Sequence, residues 1–153
     1  MKKIILGLFL ILGAISFAAP KYVNTDKITQ LGYKVDNDIP EIFLFQKMEP
    51  DGTGISISLF EIPNKSSKYI SDMEKENIPS EAQFIGSVQN NRAYVNKFAN
   101  NENGGFTYNF VAKNTKIKDC YISVLYATDN ELSNTELNNA VDKVLNEVES
   151  YLK

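Results

Sequence analysis

The chain has no histidine, no tryptophan and a single cysteine among its 153 residues. Each absence removes a class of chemistry. Without histidine there is no Ser-His-Asp or Cys-His arrangement, no ordinary general base near neutral pH, and none of the usual zinc or redox-metal ligand sets. One cysteine cannot form a disulfide within the chain or a thiolate cluster. Cys120 alternates with Ile122 and Val124 in an evident strand, so it reads as a buried apolar residue rather than a reactive thiol. Glycine-rich phosphate loops are also missing. Gly52-Thr53-Gly54 lacks the later glycine and the lysine that a phosphate cradle needs.

What is present begins with an export pattern. Lys2 and Lys3 precede an apolar stretch from Ile4 to Phe17, and Ser16 and Ala18 supply small residues at −3 and −1. This predicts a signal peptide over residues 1–18, cleaved after Ala18, with a mature chain from Ala19 to Lys153. The stretch is shorter than the roughly 20 apolar residues a spanning helix needs. No stable membrane insertion is expected after cleavage. The short Lys-Lys start is bacterial in style, which makes the expected location periplasmic or secreted.

Loss of Lys2 and Lys3 would leave 14 basic residues against 19 acidic ones, moving the net charge from −3 to −5. Arg92 is the only arginine. An acidic domain with one arginine and scattered lysines offers no electrostatic footprint for nucleic acid.

The pattern along the chain predicts an α+β domain. A mostly antiparallel sheet of about six or seven strands carries a short helix and a long C-terminal amphipathic helix packed on it. Strands are expected over Gly32–Val35, Ile42–Met48, Thr53–Ile62, Gln83–Val88, Arg92–Phe98, Phe106–Ala112 and Asp119–Thr128. The run Ile42-Phe43-Leu44-Phe45 implies burial on both faces. In the third segment, Ile55, Ile57 and Leu59 alternate with Ser56 and Ser58, so one face is expected dry and the other wet. A helical turn is expected over Asp26–Gln30, ended by Gly32. A short helix over Ser67–Asn77 has Ser66 as N-cap and an apolar side of Tyr69, Ile70 and Met73. The last helix, Asn134–Leu152, opens with a Ser133/Glu136 capping box and bears a stripe of Leu137, Val141, Val144, Val148 and Leu152.

Two stretches are similar to PsbP/Mog1-like domains. One is Gly32-Tyr33-Lys34-Val35 followed by Ile39-Pro40-Glu41. The other is Val124-Leu125-Tyr126-Ala127-Thr128 leading into a helix with Val141 and Leu145. The resemblance implies an antiparallel sheet between helices. It implies accessory, transport-related or envelope roles without a shared catalytic set. The chain departs from the pattern in lacking the tryptophan that many such domains carry soon after the proline.

The close carboxylate pairs, Asp36 with Asp38 and Glu49 with Asp51, lie in turns, where Asp is ordinary for backbone reasons. Neither has the spacing of an EF-hand calcium loop. No catalytic residue, metal site or cofactor is expected. The residues singled out for ligand or partner contact are Arg92, Tyr94, Phe106, Tyr108 and Tyr121, set against the ordinary packing of aromatics on strands. The expectation is a non-enzymatic exported domain that binds a partner protein or small ligand. A secreted enzyme inhibitor or a carboxylate-dependent hydrolase is the alternative, and self-assembly through open sheet edges is a third.

Overall fold

A computed structural model describes residues 19–36, 41–102 and 104–153. The expected export signal, and Asp38, Ile39 and Pro40 of the motifs above, lie outside the described residues. The elements in chain order are α1 (Thr25–Gln30), β1 (Lys34–Asp36), β2 (Phe43–Met48), β3 (Gly54–Glu61), α2 (Ser67–Glu76), β4 (Ala82–Gln89), β5 (Ala93–Asn100), β6 (Phe106–Ala112), β7 (Cys120–Thr128) and α3 (Asn134–Tyr151). The seven strands form one antiparallel sheet in the order β1-β2-β3-β7-β6-β5-β4. The fold is α+β.

The ends of the helices follow from their capping chemistry. Ser133 Oγ accepts from the Glu136 N–H at 3.3 Å while the Ser133 N–H donates to Glu136 Oε2 at 2.8 Å, completing the expected capping box. Ser66 caps α2 by accepting from the Tyr69 N–H. α1 closes with Gly32 at φ +86°. The Gly32 N–H donates to the Thr29 carbonyl and the Tyr33 N–H to the Ile28 carbonyl. That pair of bonds needs a left-handed residue, which is why glycine stands there.

The two sheet faces differ in character. On one, α3 lays Leu137, Val141, Val144, Leu145, Val148 and Tyr151 against Phe43, Phe45, Ile55, Ile57, Phe110 and Val124, with α1 beside it through Ile28. Each large aliphatic side chain buried this way contributes roughly 1.5–3 kcal/mol. The two ends of the described chain meet here. The Asn24 N–H donates to the Tyr151 carbonyl and the Lys153 N–H to the Tyr22 carbonyl, both at 2.8 Å.

The other face carries α2 and a smaller apolar group, Ile42, Leu44, Phe60, Ile70, Val111 and Tyr121. Two expectations are corrected here. Ile70 is buried and Met73 packs against this group as expected, but Tyr69 is exposed, with Lys65 over its ring, and Ser71 and Glu74 turn inward beside Ile70. The face of β3 expected to be wet is covered, so Ser56 and Ser58 are buried. Serine is short, and cross-strand neighbours such as Leu44 and Leu125 close over it.

Gly105, between β5 and β6, has φ +95°, and a Cβ there would lie 2.8 Å from the Thr128 carbonyl oxygen. Gly105→Ala is therefore expected to lower stability by about 2 kcal/mol, combining a left-handed backbone with a clash against main chain. Thermal unfolding checks this, since a drop of several degrees should appear for a domain of this size.

Candidate functional site

The residues expected to make contacts are not brought together. Arg92 ties the β4–β5 turn to α3: its guanidinium donates to Asn146 Oδ1 at 2.7 Å, Glu149 Oε1 at 3.1 Å and Asp142 Oδ1 at 3.4 Å. Phe106 packs at the margin of the α3-side core. Tyr108 is fully buried there, and its hydroxyl accepts from the Leu132 N–H at 2.6 Å. Tyr94 and Tyr121 lie on the opposite, α2-bearing face. Tyr121 is buried, stacked near Phe60, with its hydroxyl donated to the Lys65 carbonyl. Tyr94 is half-buried, has Lys113 over its ring, and lines a shallow cleft with Ser71, Ser87 and Asn96.

That last cleft touches one end of a buried polar network that sequence reasoning missed. α2 packs across β5, β6 and β7, whose facing positions are Asn96, Asn109 and Ser123. Asn96 stands directly opposite both Ser87 on β4 and Asn109 on β6. The Ser87 hydroxyl donates to Asn96 Oδ1 at 2.7 Å, and Asn96 Nδ2 donates to the Ser71 carbonyl and hydroxyl at 2.9 and 3.1 Å. Asn109 Nδ2 donates to Glu74 Oε2 at 2.7 Å, and the Ser123 hydroxyl donates to the same oxygen at 2.9 Å.

Glu74 is the centre of this network. It is buried, with a relative exposure of 3 %, and no cation pairs with it among the described residues. Burial pushes its carboxyl up to about 7, partly offset by the hydrogen bonds from Asn109 and Ser123. Both bonds reach Oε2. Oε1 is buried with no hydrogen-bond partner. An unmet polar atom in a buried site carries the full cost of its desolvation, on the order of 1–3 kcal/mol.

Glu74 also lines a small cleft where α2 ends and the chain turns through Ile78 and Pro79 towards β4. Its free volume is about 30 Å³, room for a water or two or for one small head group. Ile78, Pro79, Phe98 and Leu125 give apolar walls, while Asn77, Asn100 and Thr107 add amide and hydroxyl groups. Among the described residues, no second titratable side chain lines it.

Other charged groups are accounted for by structure. Lys47 bridges Glu49 and Glu147 and stands 4.4 Å from the centre of the Tyr33 ring, joining β2 to α3. Asp51 accepts from the Thr53 N–H at 2.9 Å, which holds the turn and keeps its carboxyl below the usual range. Cys120 is buried beside the Tyr22 hydroxyl, and burial pushes its thiol up. Among the described residues no group of three or more His, Cys, Asp or Glu side chains is placed to hold a metal ion, and no helix is long and apolar enough to cross a membrane.

No family model matches the chain, and no curated protein sequence matches it. The site is therefore read from its own chemistry.

Proposed function

We propose that this chain is an exported, non-enzymatic domain that binds a small ligand in the cleft at the end of α2. The observation that carries this reading is Glu74: a buried carboxylate on the cleft wall with one oxygen unpartnered. A purely structural position is filled more cheaply by an apolar residue, because a half-satisfied buried network is less stable than a dry one. Perturbed acids of this kind concentrate at functional sites. Binding is favoured over hydrolysis because carboxylate catalysis needs a second acid or base within reach of the same substrate. Glu74 has no such neighbour among the described lining residues. The export pattern at the N-terminus and the resemblance to PsbP/Mog1-like domains both favour an accessory role outside the cytoplasm.

Native mass spectrometry of the processed chain, recovered gently from its host's extracytoplasmic fraction, tests the reading. The expected result is a chain beginning at Ala19 that carries a small adduct, with the adduct lost from a Glu74→Gln chain prepared the same way. A chain still bearing residues 1–18 would sink the export assignment. Adducts equally retained by Glu74→Gln would sink the assignment of the site.

A further inference from the structure

We infer that the Glu74 cleft takes a protonated primary amine carrying a short apolar body. This deepens the binding reading and rests on it. Charge is the first argument. Among the described residues Glu74 is the one ionisable side chain on the cleft wall, and neither lysine nor arginine lines it. A carboxylate or phosphate ligand would place a second negative charge against a buried acid with no cation to offset it. A cation offsets part of the cost of burying the carboxylate.

The second argument is the acceptor set. Glu74 Oε1 has no partner. Asn77 donates one Nδ2 hydrogen to the Met73 carbonyl at 2.8 Å, which orients its amide and leaves the amide oxygen, beside one remaining N–H, as an acceptor on the cleft wall. Asn100 and Thr107 are joined by long contacts of 3.3 and 3.4 Å, which are weak and readily exchanged for a better donor. An –NH₃⁺ group has three donors and no acceptor, which matches a cleft that offers oxygens. A quaternary ammonium carries the charge but has no N–H. An alcohol has a donor but leaves the charge uncompensated.

The third argument is shape. The free volume of about 30 Å³ in this partly open cleft sizes its enclosed part for a head group such as an ammonium. The Phe98 ring and the Ile78, Pro79 and Leu125 side chains line the rest of the wall, which suits an alkyl body and disfavours a hydrated metal ion.

The test is a ¹⁵N NMR titration at pH 8 with four probes of similar size: n-butylammonium, n-butanol, butyrate and tetramethylammonium. Butylammonium is expected to shift the amides of Asn77, Phe98, Asn100 and Thr107, and the other three to leave them in place. Glu74→Gln should weaken butylammonium binding by at least about tenfold, the effect of losing one charge-assisted hydrogen bond. Thr107→Val, which keeps the acid and the strand, should weaken it several-fold and guards against a fold defect in the first variant. If n-butanol shifts the same amides as strongly, or if Glu74→Gln binds butylammonium unchanged, the amine assignment is overturned while binding in the cleft stands. If none of the four moves any cleft amide, the amine assignment and the binding reading fall together.

Discussion

Between pH 5 and pH 8 the folded protein should lose roughly 2–3 kcal/mol of stability to one side chain, and Glu74→Gln should remove that loss. The Glu74 carboxyl is raised from 4.5 to about 7 in the folded state, with burial as the main cause. A raised carboxyl binds its proton more tightly folded than unfolded. Its stabilising contribution is therefore complete below the unfolded value and disappears as pH rises through the folded one. The groups facing it do not titrate: Asn109 and Ser123 reach it from the sheet, and the Ser71 side of the network ends in Asn96 and Ser87. On α2 itself, Asp72 is paired outward with Lys68, and Lys75 stands over the Phe84 ring.

Other groups act outside this window. Asp51 and Glu136 are lowered by hydrogen bonds at a turn and a helix cap, so their contributions are present above the ordinary carboxylate range and lost in acid. Cys120 and the buried tyrosines are raised, so theirs are lost only in alkali. Urea unfolding of both chains at pH 5, 6.5 and 8 is the measurement. The wild-type midpoint should fall across the series and that of Glu74→Gln should stay nearly level. Parallel curves would mean that Glu74 does not titrate in the folded state as its burial requires. A ligand cation at the cleft should also restore part of the lost stability at pH 8, since it binds the folded form alone.

Most of the frame was legible in the sequence because local chemistry and global packing agree there. Ser133 and Glu136 announce the start of α3, and the stripe from Leu137 to Leu152 is continuous. The Ile42-Phe43-Leu44-Phe45 run turns alternate residues to the two sides, Phe43 and Phe45 towards α3 and Ile42 and Leu44 towards α2. The strand segments all appear, within two residues at their ends. The candidate site was not legible, for a physical reason. A polar residue on a strand or short helix normally faces water, so nothing in the pattern singles out Ser71, Glu74, Asn96, Asn109 and Ser123. Only the crossing of α2 over β5, β6 and β7 puts them in one dry layer. A partial signal existed. Glu74 lies four residues after Ile70, on the same side of the helix, and two of the polar strand positions sit between apolar ones on their own face: Tyr94 and Phe98 flank Asn96, and Tyr121 and Leu125 flank Ser123. Aromatic content drew attention elsewhere, and the aromatics divide between the two faces.

Phe45→Ala should be the most damaging single truncation on the α3 side, at about 3–5 kcal/mol. Phe45 is fully buried on β2 and sits at the meeting of three rings. Tyr33 contacts it edge-on at 5.3 Å, Phe43 at 5.5 Å and Tyr151 edge-on at 5.5 Å. Those rings come from the segment after α1, from β2 itself and from the last turn of α3, so one side chain joins the sheet to both ends of the described chain. Removing it empties a space that none of these rings can refill, because each is fixed at its own backbone and α3 is held along its length by the stripe. Phe45→Leu keeps most of the volume and should cost about 1–2 kcal/mol. Tyr69→Ala, on the solvent side of α2, should lie within about half a kcal/mol of wild type. Denaturant unfolding of the three variants at one fixed pH of 5, where folded Glu74 holds its proton and its titration contributes alike to all three, separates packing from titration. A Phe45→Ala loss no larger than that of Tyr69→Ala would show that the ring cluster does not hold α3 to the sheet.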